Sequence, residues 1–155
     1  MVTYLTWSQL KFGKHEGKSL PQIILSDPDW FFWAVGNGIL RAGIDDEATE
    51  IARKSCHIKI PKPNPENWRI EYKFTYDDKS AGFSIIDEKS AAYPSENSKI
   101  STHLDLSLPR RMNKYDKFGN QLMLKNFRDY YFDGASITKD RAERFFYDDR
   151  NFLVD

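Results

Sequence analysis

The stretch Trp68-Arg69-Ile70-Glu71-Tyr72-Lys73-Phe74-Thr75-Tyr76 alternates between apolar and polar side chains without a break. Successive side chains of a β-strand point to opposite faces of a sheet, so this period of two predicts a strand with one buried face and one solvated face. The following Asp77-Asp78-Lys79-Ser80 is a turn-forming run that predicts a hairpin into a second strand over residues 82–87. These residues therefore predict an antiparallel sheet in the second half of the chain.

The remainder of the second half predicts further strands and one helix. Residues 100–108 alternate again, which predicts a third strand that Pro109 stops. A further hairpin is predicted around residues 116–120, and a last strand over residues 126–132. Thr138 is the expected N-cap of a closing helix whose apolar face would cover the sheet.

The first part of the chain predicts helices. A short helix is expected over residues 19–25, with Ser19 as its N-cap. Asp27-Pro28-Asp29 predicts the start of a second helix that runs to residue 35, because an aspartate accepts orphan amide hydrogens and a proline suits the first helical position. Paired aspartates begin a third helix, which is expected over residues 45–55.

Three prolines at alternate positions divide these two parts. Proline fixes φ and removes a backbone donor, so neither a helix nor a central strand can continue through them. We therefore expect an extended connector over residues 57–67, between a helical module of residues 1–56 and a sheet part of residues 68–155 that a helix closes. The predicted fold class is α+β.

Charge and cysteine content narrow the functional classes. The 155 residues include 23 basic and 23 acidic side chains, so no overall field draws the protein to nucleic acid or membrane, and polyanion binding requires local asymmetry. The single cysteine, Cys56, excludes an internal disulfide. No secretory signal and no run of about 20 apolar residues is present. We expect a cytoplasmic protein without membrane contact, metal or cofactor.

The sequence Phe12-Gly13-Lys14, followed two residues later by Gly17-Lys18, predicts a tight turn that leaves a strand. Phe12 would anchor the turn in the core, and the glycines permit positive φ. The lysines that would project together toward phosphate or carboxylate oxygens are Lys11, Lys14 and Lys18. A glycine-rich turn with solvated lysines is the alternative explanation of the same residues.

With Ile23-Ile24, Asp27-Pro28, Trp30 and Trp33, this turn resembles the small domain at the C-terminus of exodeoxyribonuclease X and related bacterial and phage proteins. That family has phenylalanine-glycine-lysine, two residues, glycine-lysine, a short helix, then aspartate-proline with aromatic residues and a tryptophan. The resemblance covers about residues 8–54 and implies a nucleic-acid-processing context. The exonuclease domain of exodeoxyribonuclease X has no counterpart here, so the resemblance implies an association and no activity. Both tryptophans are expected mainly in the core.

A second basic segment lies between residues 110 and 128, where six basic side chains oppose the single acid Asp116 and aromatic residues are interleaved. Such a segment can follow a phosphate backbone while its rings stack on unpaired bases, each worth about 1–3 kcal/mol. A solvated hairpin with core aromatics is the alternative. The candidate nucleic-acid-binding residues of both segments are Lys11, Lys14, Lys18, Arg110, Arg111, Lys114, Tyr115, Lys117 and Arg128.

Glu71 and Lys73 lie two apart on one strand face, as a metal-ligand carboxylate and a water-activating lysine would. A metal-dependent nuclease would also need an upstream aspartate, such as Asp45 or Asp46. Alternating charges on a solvated strand face are the simpler explanation. The three histidines show no metal-ligand spacing and are expected at the surface or in turns.

The sequence therefore predicts a non-enzymatic accessory protein, of bacterial or phage type, that acts in nucleic-acid processing and binds DNA or RNA, including single strands. The alternative is a protein-binding adaptor or inhibitor of a nucleic-acid enzyme, since a neutral charge and many tyrosines and tryptophans also suit a protein interface. A metal-dependent nuclease is the third and least favoured hypothesis.

Overall fold

The computed structural model describes residues 7–40, 43–92, 97–112 and 116–153, which form helices and a three-stranded sheet. The helices are α1 (Leu20–Ile24), α2 (Pro28–Gly36), α3 (Asp45–Ser55), α4 (Leu108–Met112), α5 (Lys117–Tyr131) and α6 (Lys139–Tyr147). The strands are β1 (Trp68–Phe74), β2 (Ser80–Asp87) and β3 (Ser98–Ser101). This is the predicted α+β class. Within the described residues, no helix is long and apolar enough to cross a membrane.

The sheet has the strand order β2-β1-β3, and both strand pairs are antiparallel. β1 and β2 form the predicted hairpin, in which Tyr72 lies opposite Phe83 and Ile70 lies opposite Ile85. All four side chains are buried. The period of two in β1 therefore marks the face that the structure buries.

Helix α5 packs against β2 and completes hydrogen bonds along that strand. Asn126 Oδ1 accepts the Phe83 amide at 2.9 Å, and Asp116 Oδ2 accepts the Ser80 amide at 3.0 Å. Gly82, with φ +86°, permits this close approach, because a Cβ there would lie 2.2 Å from Asn126 Oδ1. Side chains of α5 therefore fix the helix at one place on the sheet.

Turn-forming residues begin helices here, and this makes three predictions wrong. Pro109 does not end a strand; it is the second residue of α4, where a missing N–H costs no helical hydrogen bond. The predicted hairpin at residues 116–120 and the strand at residues 126–132 both belong to α5. Asp116 caps this helix by accepting the Gly119 amide at 2.8 Å. A Cβ at Gly119 would lie 2.3 Å from Asp116 Oδ2, so this glycine makes room for the cap.

β3 is shorter than the strand predicted over residues 100–108. Beyond β3, Leu104 forms an isolated bridge with Ile58, and the Leu106 amide donates to the Ser55 carbonyl at 3.0 Å. Beyond β3, the chain packs beside the end of α3 and has no neighbouring strand of the sheet. The apolar alternation of residues 100–108 therefore continues past the end of the strand itself.

The first-part helices are present as predicted, although the Ser19 side chain makes no capping hydrogen bond to α1. Thr138 caps α6 as predicted, by accepting a backbone amide of its first turn. The apolar face of α6 was expected to cover the sheet, and this is wrong: α6 packs against α1, and Phe145 meets Phe127 of α5 edge-on with 5.3 Å between ring centroids. The helix that covers the sheet is α5.

The expected connector, residues 57–67, packs against other parts of the chain. Ile58 bridges to Leu104 and to Phe152, and Ile60 is 3% exposed. One buried hydrophobic cluster contains residues from before and after the connector. The division into a helical module and a sheet part stays a prediction, with both parts contributing to this cluster.

Candidate functional site

Residues 10–19, here called the lysine loop, reverse the chain before α1. The Leu10 amide donates to the Lys18 carbonyl at 2.9 Å, and the Gly17 amide donates back to the Leu10 carbonyl at 2.8 Å. Leu10 is 1% exposed and anchors the loop in the core. Phe12, the predicted anchor, is 37% exposed, so that prediction is wrong; the reversal places Phe12 toward the solvated tip of the loop.

Asp27 connects the lysine loop to α2. Its carboxylate caps α2 by accepting the Trp30 amide at 3.3 Å, and its Oδ2 lies 3.0 Å from both Lys14 Nζ and His15 Nε2. Burial alone would raise the pKa of Asp27, but the hydrogen bonds from Lys14, His15 and the Trp30 amide together hold this pKa below its ordinary value. Asp27 is therefore ionised at neutral pH and holds Lys14 beside the start of α2.

His15 lies in a turn, one of the two places that the sequence predicts for the histidines, but it is not at the surface. It is 6% exposed, and its ring lies edge-on to Trp30 with 4.9 Å between centroids. While Nε2 contacts Asp27, the Nδ1 atom is buried and has no hydrogen-bond partner among the described residues. His15 therefore joins the lysine loop to α2 through one hydrogen bond and one ring contact.

The two predicted basic segments meet at one groove of about 790 Å³, here called the basic groove. The lysine loop, α2, α4 and the start of α5 all contribute to its lining. Its cationic and aromatic lining residues are Lys14, Lys18, Trp30, Trp33, Arg110 and Lys117. The fold thus brings four of the nine predicted binding residues to one place, from segments far apart in the chain.

Two carboxylates accompany the four cations of the basic groove. Arg110 Nη1 lies 3.0 Å from Asp29 Oδ1, and Lys14 pairs with Asp27. Among the described residues, neither Lys18 nor Lys117 takes part in an ion pair. The groove therefore carries a formal excess of two positive charges in a protein whose net charge is zero.

Trp33 presents part of its indole ring to the basic groove. It is 37% exposed, and its ring centroid lies 6.4 Å from that of Trp30. Trp30 is half-buried against the core, as expected, whereas the predicted core position of Trp33 is wrong. An accessible indole beside cationic side chains is the arrangement on which unpaired bases stack.

The other predicted binding residues lie elsewhere. Lys11 is exposed on the lysine loop but does not line the groove, and Arg128 lies in the last turn of α5, also away from it. Arg111 pairs with an aspartate and lines a different groove. Lys114 and Tyr115 lie outside the described residues.

The groove residues that the sequence did not predict as binding residues include three from α5: Asn120, Gln121 and Leu124. They lie three, four and seven residues after Lys117 on α5, which places them on one face of the helix. The prediction of a hairpin at this point did not allow for that spacing. A test of residues 117–127 for a period of 3.6 would have indicated them.

Outside the groove, few side chains of the described residues are placed for catalysis or metal binding. The described residues include no group of three or more His, Cys, Asp or Glu side chains placed to hold a metal ion. Glu71 lies opposite Ser84 and Ile100 in the sheet. Burial, followed by the nearby charge of Asp105, raises the pKa of the Cys56 thiol to about 11. Cys56 is therefore protonated at neutral pH and is a weak nucleophile.

Cations from two distant segments, an accessible indole and a cavity coincide at the basic groove. This combination suits a ligand that carries both negative charge and aromatic rings. No family model, no curated protein and no solved structure matches the chain.

Proposed function

We propose that this protein is a non-enzymatic accessory factor that binds single-stranded nucleic acid in the basic groove. The observation that carries the proposal is the meeting of Lys14 and Lys18 with Arg110 and Lys117 beside the exposed ring of Trp33. The resemblance of the first part to the C-terminal domain of exodeoxyribonuclease X supports a setting in nucleic-acid processing.

The size and charge of the groove favour a single strand. A volume of about 790 Å³ lies within the range of ligand pockets, so the groove accommodates nucleotides of one strand more readily than a duplex. Lysine and arginine contact phosphates with little regard to sequence, and an indole stacks on any base. We therefore expect binding with weak sequence preference and strong salt dependence.

A salt titration with a labelled oligonucleotide tests this function. Contacts from the three groove lysines predict a slope of log K against log salt of about −2, since single strands contribute about −0.7 per contact, and Arg110 adds to the slope only where a phosphate displaces Asp29. Lys18→Glu and Lys117→Glu should each weaken binding roughly tenfold and reduce the slope by about 0.7. Lys139→Glu is the matched control, because Lys139 is exposed on α6 and does not line the groove. No binding by micromolar protein at low salt would contradict the proposal.

An adaptor that binds a nucleic-acid enzyme is the second candidate function. Two exposed apolar side chains favour it: Phe118, adjacent to Lys117, is 67% exposed, and Met112 is 44% exposed. Such residues are typical anchors of protein interfaces. A partner that is retained after nuclease digestion, and lost with Phe118→Ser but kept with Lys117→Glu, would favour the adaptor over direct binding.

A further inference from the structure

A second groove, here called the arginine groove, adjoins the basic groove. It has a volume of about 610 Å³, and α2, α3 and α4 contribute to its lining. Phe32, Ala52 and Cys56 supply apolar surface, and its charged lining residues are Arg53, Arg110 and Arg111. No carboxylate is among the described residues that line it. The Cys56 thiol is protonated at neutral pH and adds no negative charge.

The two grooves share one lining residue, Arg110. Consecutive residues of α2 supply an aromatic ring to each side: Trp33 to the basic groove and Phe32 to the arginine groove. Each groove therefore has cations beside aromatic surface, and the guanidinium of Arg110 belongs to both. Both grooves thus offer the two kinds of group that contact phosphates and bases.

We propose that one strand of nucleic acid passes through both grooves and crosses Arg110, an inference that rests on the proposed function. The path explains the placement of Arg111, which the basic groove alone leaves unused. It also requires a binding site longer than about 4 nucleotides, the lower end of the range for single-strand-binding surfaces, and within their upper limit of about 16.

The arginines of the second groove are accessible to phosphates. Arg53 Nη2 lies 2.6 Å from Glu50 Oε1, and these side chains are 45% and 51% exposed. Arg111 pairs with Asp105, and these side chains are 58% and 13% exposed. Exposed ion pairs contribute at most about 1 kcal/mol, so a phosphate competes with these carboxylates, and guanidinium groups bind it in a bidentate manner.

Oligonucleotide length and one arginine variant test the path. Binding is measured with oligothymidylates of about 4 and about 12 nucleotides, which bracket a short and a long site. Arg53→Glu should weaken binding of the long oligonucleotide at least fivefold and that of the short one less than twofold, because the short strand fills the basic groove alone. Lys117→Glu should weaken both.

Arg144→Glu is the matched control, since Arg144 also pairs with an acid on its own helix, at 3.1 Å from Asp140, and lines neither groove. Arg53→Gln removes the cation without reversing its charge and serves if the glutamate variant unfolds. If the long oligonucleotide responds to Lys117→Glu but not to either Arg53 variant, the path through two grooves is wrong and the proposed function stands. If the wild-type protein binds neither oligonucleotide, the proposed function fails and the path fails with it.

Discussion

Replacing Asp29 by asparagine should strengthen binding of single-stranded nucleic acid, although it removes a charge pair from the fold. Arg110 Nη1 lies 3.0 Å from Asp29 Oδ1, and the two side chains are 26% and 16% exposed. A phosphate that reaches Arg110 has to compete with this carboxylate, and the substitution removes the charge of the carboxylate. Since partly exposed ion pairs contribute about 0.5–1 kcal/mol, we expect Kd to decrease about two- to fivefold.

The salt dependence of binding distinguishes a new phosphate contact from a general change in charge. If Arg110 gains a phosphate in the Asp29→Asn variant, the slope of log K against log salt should steepen by about 0.7. Fluorescence anisotropy of a labelled oligonucleotide over a salt series measures both Kd and this slope. Asp140→Asn removes one acid that pairs with Arg144 on α6, away from the groove, and should leave both quantities unchanged.

The variant should remain folded. Asp29 lies in the first turn of α2, and loss of its interaction with the helix dipole costs about 0.3–1 kcal/mol. Circular dichroism and a urea titration measure this loss. A folded Asp29→Asn protein whose affinity is unchanged or weaker would refute the reasoning that Arg110 contacts phosphate.

The remaining predictions concern stability. Gly82→Ala should lower the free energy of unfolding by about 2–4 kcal/mol, measured by urea denaturation, because φ at this position is +86° and the new Cβ would displace Asn126 Oδ1. Gly36→Ala, where a Cβ meets no heavy atom within 4 Å, should be neutral or stabilising, and an equal loss in both variants would contradict the steric argument. The pKa of Asp27 is lower in the folded protein than in the unfolded chain, so its contribution to stability is complete above the unfolded pKa and disappears as pH falls through the folded one. Asp27→Asn should flatten the acid branch of a plot of stability against pH, and identical acid branches would count against this assignment.

Local signals made much of the fold predictable. The alternation in β1 and the Asp27-Pro28 start of α2 each lie within a few residues, so the sequence alone indicates them. Helix α5 was not predictable in this way, because Asp116 and Gly119 carry turn chemistry that is used here to begin a helix. The same carboxylate of Asp116 accepts the Ser80 amide, a contact between distant parts of the chain that no sequence window contains.

The candidate site, like the fold, was predictable from the sequence only in part. Composition marked Lys14, Lys18 and Lys117 as cations in basic segments, but their convergence depends on tertiary packing. The contact between Arg110 and Asp29 joins residues that lie 81 positions apart, and it brings α4 to the start of α2. Charge counting could therefore identify the residues of the groove and not the groove itself.

The carboxylate of Asp116 links the sheet to the basic groove, since it holds the Ser80 amide of β2 and the Gly119 amide of α5 at once. Opening of the first turn of α5, which carries Lys117, therefore releases the start of β2, and opening of β2 releases the turn. We therefore expect the two segments to open together, as one cooperative unit. A disturbance in the hairpin turn at residues 75–79 would then lower the affinity of the basic groove for its proposed ligand, without any direct contact between the turn and the groove.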